Sequence, residues 1–552
     1  MKTRISLCII LTLLFLPDTL FPQTNEWLWS HNTGPNVIDG SRAIRVDAAG
    51  NSYITGFFSN FQVTFGNITL QNSGGSADIY IVKYAPDGTV LWARSAGGDS
   101  DDESNGLTLD DSANIYITGY FSGDSISFDS TSFENAGIFD MFLAKYDSSG
   151  AFQWARSIGN GFMEVGNAIV TDHNGNVFVA GTYDSDTLVL GTDTLLNRGS
   201  TDIFLLKYTS DGTLIWARSE GGADMDMCNS LTTDPQDNVV FSGYFSKDSL
   251  VIGADTLFNP EIFPEVLIVK YSSQGNVIWA RTVSGDDWDE ATCVASDING
   301  NIYIGGFYWS NTINFDTIQY TGTGGEKMFL MKLDSSGEFQ WVNVNIQNGE
   351  VRATSLFTDQ NGNVLVGGIF RSPSISFGTT VLNNEGESDI FLAEYDGNGN
   401  INYALSEGGD YFETCFGVSK DSFGNIYVNG TFTSSFISFG STNTLFNNTG
   451  STVLYIAKYG ETSAGVGDGI ITGESKAFPN PFSDLFSFQL QGNENTVNVE
   501  IINSMGEVVH ATSITGKNTD YFQCRTSNLK PGIYFVKVES QSSSKIFRMI
   551  KE

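Results

Sequence analysis

The chain has 552 residues, 40% of them apolar and 13% aromatic, with 60 glycines, a profile that suits many short strands and turns better than long helices. Its 28 lysines and arginines face 63 aspartates and glutamates, a formal net charge of -35. That balance excludes nucleic acid as a partner, because phosphate binding needs a basic footprint.

The N-terminus, MKTRISLCIILTLLFLPDTLFPQTNEW, reads as a secretory signal over residues 1–23, with cleavage expected near Gln23. Lys2 and Arg4 form its charged end, and the apolar core at 5–16 is 12 residues long, too short to span a bilayer comfortably. Cys8 lies inside that core, out of place for a lipoprotein cysteine, and no other segment approaches membrane-spanning length. The mature chain keeps Cys228, Cys293, Cys415 and Cys524, which show no CxxC or Cys/His metal spacing and read as buried free thiols.

From Trp29 onward the chain repeats. Tryptophans recur at Trp92, Trp154, Trp216, Trp279 and Trp341 in steps of 62 or 63, and Tyr403 takes the seventh place. Asn51, Asn114, Asn176, Asn238, Asn301, Asn363 and Asn425 keep the same step, each with an aspartate four residues before and a glycine five residues after. Within 103–157, SNGLTLD, NIYITGYF, DMFLAKYD and FQWARS read as four short antiparallel strands joined by tight DDSAN and DSSG turns. In such turns the Asp side chain caps the backbone, and a glycine at the fourth place supplies a positive φ. Seven such units predict a seven-bladed β-propeller over 24–459, in preference to a solenoid. Between the second and third strands an insert such as SGDSISFDSTSFENAGIF carries its own apolar period, so a small packed hairpin is expected there. EWLWS at 26–30 matches a fourth strand, whereas the seventh unit stops after its third at AKYG. The N-terminal strand is therefore expected to complete the last blade. Tight turns fall on one face of the ring; the inserts and the fourth-to-first connections fall on the other, the face free to do work.

Residues 460–476 are Gly-rich and nonperiodic and read as a linker, and 477–552 alternate like strands of a small β-sandwich.

The unit GG-x-x-D-x-(D/E)…D-x-x-GN-x-Y-x-x-G…D-x-F-L-x-KY…G-x-x-x-W resembles the SBBP-type β-propeller repeats of secreted bacterial proteins, over about residues 26–459. The seventh unit departs from it at Tyr403, Cys415 and Val453, and the resemblance implies no shared catalytic residues. Residues 477–552 resemble the type A C-terminal sorting domain of the type IX secretion system in Bacteroidetes, through Pro479, Asn480, Pro481 and Phe482, Gly506, then Pro531, Gly532, Ile533 and Tyr534. This resemblance implies the type IX secretion machinery as a partner, passage across the outer membrane, removal of the domain and attachment at the surface.

Enzyme motifs are scarce. Of the three histidines, His31, His173 and His510, the two in the propeller, His31 and His173, have no partner at metal or triad spacing, and the repeated tryptophans read as blade packing. Counting back eight residues from each turn aspartate gives Asp39, Asp102, Glu164, Asp226, Asp289, Val351 and Glu413. The six carboxylates are expected to ring one mouth of the channel, where Ca²⁺ is the cation that clustered oxygens favour. The alternative is that they cap loop amides. The expected function is a surface-displayed binding or adhesion module, monomeric, with an extracellular glycan or protein ligand and no identified cofactor. A secreted carbohydrate-active enzyme fits the same address but lacks identifiable catalytic pairs.

Overall fold

The computed structural model describes residues 25–33, 39–259, 261–322, 324–345, 349–448 and 450–461, with parts of 477–551. The leader, most of the linker, Pro479–Phe482, Gly506 and Pro531 lie outside the described residues. The chain divides into two compact units, one of them Asn25–Glu461.

Among the described residues of that unit, every element is a strand. Blades 1 to 7 begin with the inner strands Asp39–Val46, Asp102–Leu109, Glu164–Thr171, Asp226–Thr233, Asp289–Ser296, Val351–Thr358 and Glu413–Lys420. Each inner strand pairs antiparallel with a second, that with a third, and that with a fourth at the rim. Neighbouring inner strands touch in succession, and that of blade 7 returns to that of blade 1. Second strands such as Val177–Tyr183 and Ile302–Tyr308 are buried along their whole length, because adjacent blades cover both of their faces. That is why these strands read as continuous apolar runs rather than alternating ones.

Strand Asn25–Asn32 lies antiparallel to Val453–Glu461 and supplies the fourth strand of blade 7. A bulge between Trp27 and Trp29 shifts its register. Trp27 is 5% exposed, packs on Phe439 and Tyr459, and donates its indole N–H to Glu407. Sequence reasoning singled out Trp29; Trp27 is the more buried of the two.

The inserts are hairpins, and three of them pair with the rim strand of the preceding blade. Ser127 and Ile126 meet Gly97 and Gly98, Asn314 and Ile313 meet Ser284 and Gly285, and Ser438 and Ile437 meet Gly408 and Gly409. In those three blades the insert is thus an inter-blade strap.

The repeated turn is a self-contained cap. Asp47 accepts from the amides of Ala49 (3.0 Å) and Asn51 (2.9 Å) with one oxygen, and from Asn51 Nδ2 (2.8 Å) and Tyr53 OH (3.0 Å) with the other. The same amide and Asn contacts recur at Asp234 and Asp421. The fourth turn position has positive φ throughout, by glycine in five blades and by Ala113 (56°) and Asp237 (61°) in the others. The other repeated polar residues reach across blades. Trp92 Nε1 (3.4 Å) and Lys83 Nζ (3.2 Å) donate to Ser148 O of the next blade's DSSG turn, and Arg94 Nε donates to Gly150 O (2.8 Å). Gly150 has φ 78°, and a Cβ there would lie 2.8 Å from the Trp92 ring. At the closure Trp29 Nε1 and Lys458 Nζ both donate to Pro86 O at 3.1 Å, so blade 7 grips blade 1 as blades 1 to 5 grip their successors; in blade 6 Glu394 and Tyr403 take the two positions, and Glu394 pairs with Lys420 of blade 7.

The C-terminal unit is a small β-sandwich. One sheet orders Val508–Thr515, Thr496–Asn503, Gly532–Glu539 and Ser544–Lys551; the other holds Ala477–Phe478, Leu485–Phe488 and Phe522–Arg525. Val499, Ile501, Cys524, Val536 and Val538 are buried, and Tyr534 donates its hydroxyl to Lys530 O at 2.8 Å.

Candidate functional site: the loop-bearing mouth of the ring

The carboxylates expected at the channel mouth lie elsewhere. Asp102, Glu164, Asp226, Asp289 and Glu413 are each 0% exposed and sit in the wall between blades. Asp39 begins its inner strand in the same register, facing Phe58, and only its backbone is described. Three of them accept an amide four residues upstream: Gly98 N to Asp102 (2.6 Å), Gly222 N to Asp226 (2.6 Å) and Gly409 N to Glu413 (3.1 Å). Glu164 does the same from Asn160 N (3.1 Å), and Asp289 accepts from Ser310 Oγ (2.8 Å). Exposure along the inner strand alternates, with Asp102 and Ser104 buried and Glu103 and Asn105 half-buried. The expected ring is therefore one residue out of phase, and one residue in a strand is the opposite face.

Each buried acid has a second beside it, from the start of the preceding blade's third strand. Asp78 neighbours Asp102, Asp140 neighbours Glu164, Asp202 neighbours Asp226, Glu265 neighbours Asp289 and Asp389 neighbours Glu413. Asp78 Oδ1 and Asp102 Oδ1 are both buried without a hydrogen-bond partner, as are Asp140 Oδ1, Asp202 Oδ1, Glu265 Oε1 and Asp389 Oδ1. Burial drives these groups up, helped by Asp289 at Glu265, which rises to about 8, and by Asp202 at Asp226, which rises to about 7; Asp289 rises to about 7 through burial foremost. Gly97 leaves room for this arrangement, since a Cβ there would fall 2.2 Å from the Asp78 carboxyl carbon. The GG-x-x-D motif is therefore one glycine that makes space for an acid and one amide that caps another.

Ca²⁺ needs six to eight oxygens. Among the described residues no three His, Cys, Asp or Glu side chains gather where they could hold a metal. Two unpartnered oxygens between blades 1 and 2, and one at each of the other four acid pairs, match a proton in number better than they match Ca²⁺.

The channel itself is lined by other residues. A bulge in every inner strand turns Arg42, Asn105, Asn167, Asn229, Thr292 and Thr354 toward a cavity of about 140 Å³. Their side chains suture successive blades: Asn105 Nδ2 donates to Gly166 O (3.1 Å), Asn167 to Cys228 O (3.0 Å), Asn229 to Ala291 O (2.9 Å) and Thr292 Oγ1 to Ala353 O (2.6 Å). Arg42 pairs with Glu103 of the next blade at 2.8 Å, and Thr354 Oγ1 donates within its own blade to Gly367 O at 3.1 Å.

Around the mouth on the insert side, large apolar side chains stand in solvent. Phe162 is 53% exposed, Met225 43%, Trp288 41%, Trp309 45% and Tyr411 50%. All lie on fourth-to-first connections or just after a second strand. Asp99, Asp101, Asp224, Asp286, Asp287 and Asp410 share those connections. Loop length marks this face in the sequence, but its aromatics carry no such signal, because they fall outside the repeat.

Comparison with known proteins adds the address. Residues 476–552 match the secretion system C-terminal sorting domain. The sorting domain sends the chain through the type IX machinery, across the outer membrane to the cell surface or the medium. The chain is 24% identical over 558 residues to an uncharacterized WD repeat-containing protein of Acanthamoeba polyphaga mimivirus, covering 83% of this chain and 40% of that one. It is 29% identical over 143 residues to regulatory protein FlaEY of Caulobacter vibrioides, covering 25% of this chain and 15% of that one. The chain thus spans well under two thirds of either relative. Among solved structures, Sqt1 of Chaetomium thermophilum aligns with TM-score 0.37 and 9% identity, over 80% of this chain and all of that one. Among the described residues no helix is long and apolar enough to cross a membrane.

Proposed function

We propose that residues 26–459 are SBBP-type repeats forming an extracellular binding module, delivered by its sorting domain and presenting the insert-bearing mouth to a glycan or protein ligand. The observation that carries this is the cluster of half-exposed aromatic side chains on the connections around that mouth, in contrast to a channel where Asn105 and Asn167 are tied up in suturing the blades. Exposed aromatics rimmed by charged residues mark binding surfaces. The repeated carboxyls support binding over hydrolysis, since a glycosidase needs its two acids open to substrate and these are buried. A leader at 1–23 and a monomeric state belong to the same reading. The test is a screen of the secreted protein against glycans and extracellular-matrix proteins, run beside a hydrolysis screen. Saturable binding without turnover is the expected result; turnover of any glycan would refute it.

A further inference from the structure

The seven blades are near copies; apart from the ring closure, where Val453 stands in place of the third-strand acid, the buried acid pair is lost at one junction. At the junction of blades 5 and 6 the buried acid pair is replaced by Lys327 and Val351, both 1% exposed. The acid moves one residue earlier to Glu326, and Arg352 forks onto it, Nε to Oε1 at 2.9 Å and NH2 to Oε2 at 2.6 Å. Arg352 also stacks 4.0 Å over Phe307. The loop position occupied by Asp101, Met163 and Met225 in blades 2, 3 and 4 is Trp288 in blade 5.

From these departures we infer that Trp288 and Trp309 form a subsite for a neutral sugar ring, an inference that rests on the binding-module reading above. The two residues are joined by Trp309 N donating to Trp288 O at 2.8 Å. Each indole N–H is tied to a carboxylate, Trp288 to Glu290 (3.0 Å) and Trp309 to Glu326 (3.2 Å). The Tyr244 ring meets Trp288 edge-on at 5.9 Å. Both indoles are therefore tethered while more than two-fifths exposed, and an indole π-face takes the C–H face of a pyranose.

Beside them lies a cavity of about 80 Å³ lined by Glu326, Glu350, Arg352, Ile369 and Arg371. Arg371 donates to Glu350 at 2.8 Å, with both side chains more than two-fifths exposed. A sugar hydroxyl both donates and accepts, so alternating guanidinium and carboxylate edges suit it. Glu290, Glu326 and Glu350 outnumber Arg352 and Arg371 here, Asp286 and Asp287 adjoin Trp288, and the whole chain carries -35. Sulfated or sialylated glycans meet that field as repulsion; a neutral one does not.

The secreted protein, with Trp288→Ala, Trp309→Ala and Phe423→Ala variants, should be applied to an array of neutral, sialylated and sulfated oligosaccharides. Neutral glycans should bind, at least tenfold more weakly to either tryptophan variant and unchanged to Phe423→Ala, an aromatic 82% exposed in a tight turn on the opposite face. Unaltered melting temperatures would show that all three variants fold. Glycan binding that survives both tryptophan substitutions, or that is restricted to anionic glycans, overturns the subsite and leaves the binding module standing. Absence of binding to every glycan, with or without capture of a matrix protein, overturns the subsite as well; absence of both ligands removes the parent reading with it.

Discussion

Replacing Asp102 by asparagine asks directly whether a proton sits between blades 1 and 2. The Asp102 carboxyl is pushed up to about 8, by burial first and then by Asp78 and Asp101, against the opposing amides of Gly98 and Ser122. Burial also raises Asp78. In the folded chain this carboxyl is therefore protonated at neutral pH, while in the unfolded chain it has ionised above about 4. The native state holds the extra proton, so stability is greatest below about pH 4 and declines as pH climbs toward about 8, beyond which the loss is complete. Four units at 1.36 kcal/mol each make that loss about 5 kcal/mol for this one group. Asparagine keeps an acceptor for Gly98 N, points an N–H toward the unpartnered Asp78 Oδ1 and never ionises. The variant should match wild type to within about 1 kcal/mol at pH 5 and exceed it by about 3–5 kcal/mol at pH 9. For a unit of this size that is a rise of about 3–5 °C in melting temperature. Calorimetric melts at both pH values, with and without Ca²⁺ at matched ionic strength, provide the assay. Equal destabilisation at pH 5 and pH 9 would refute the shared proton. A Ca²⁺-specific rise in the wild type that Asp102→Asn abolishes would put a cation there instead.

Ring closure predicts that Trp27→Ala costs about 3–5 kcal/mol, because the side chain is 5% exposed, and that half-buried Trp29→Ala costs less; denaturant titration ranks the two. Lys270→Met removes the partner of Asp234, 2.8 Å away in a pair whose side chains are 3% and 0% exposed, and should cost about 3–5 kcal/mol at pH 7 by the same titration. Ala113→Gly relieves a left-handed residue at φ 56° and should stabilise by about 1 kcal/mol, read as a shift in unfolding midpoint. Deleting 477–552 should leave the ring folded and held in the periplasm, while the same segment should carry an exported fluorescent protein to the surface; cell fractionation follows both, and secretion of the truncated ring would contradict the assignment.

The repeat length, the four strands per unit, the insert hairpin and the capped turn were legible in the sequence because each rests on local chemistry. Alternation, Asp–Asn side chains and positive-φ glycines act within a few residues of themselves. The sorting domain was legible for a different reason, its order and spacing of Pro, Gly and strand residues. What the tertiary structure decided is everything that crosses from one blade to the next. Trp92 and Lys83 look like packing until the DSSG turn of the neighbouring blade arrives to be held by them. Asp102 and Glu103 are adjacent in sequence and equally acidic, yet the pleat buries the first against Asp78 and leaves the second half-buried and ion-paired with Arg42. A bulge after the third inner-strand residue then re-aims Asn105 into the channel wall. Strand phase and bulges are set by what packs against both faces, and in a closed ring those faces belong to residues about sixty positions away.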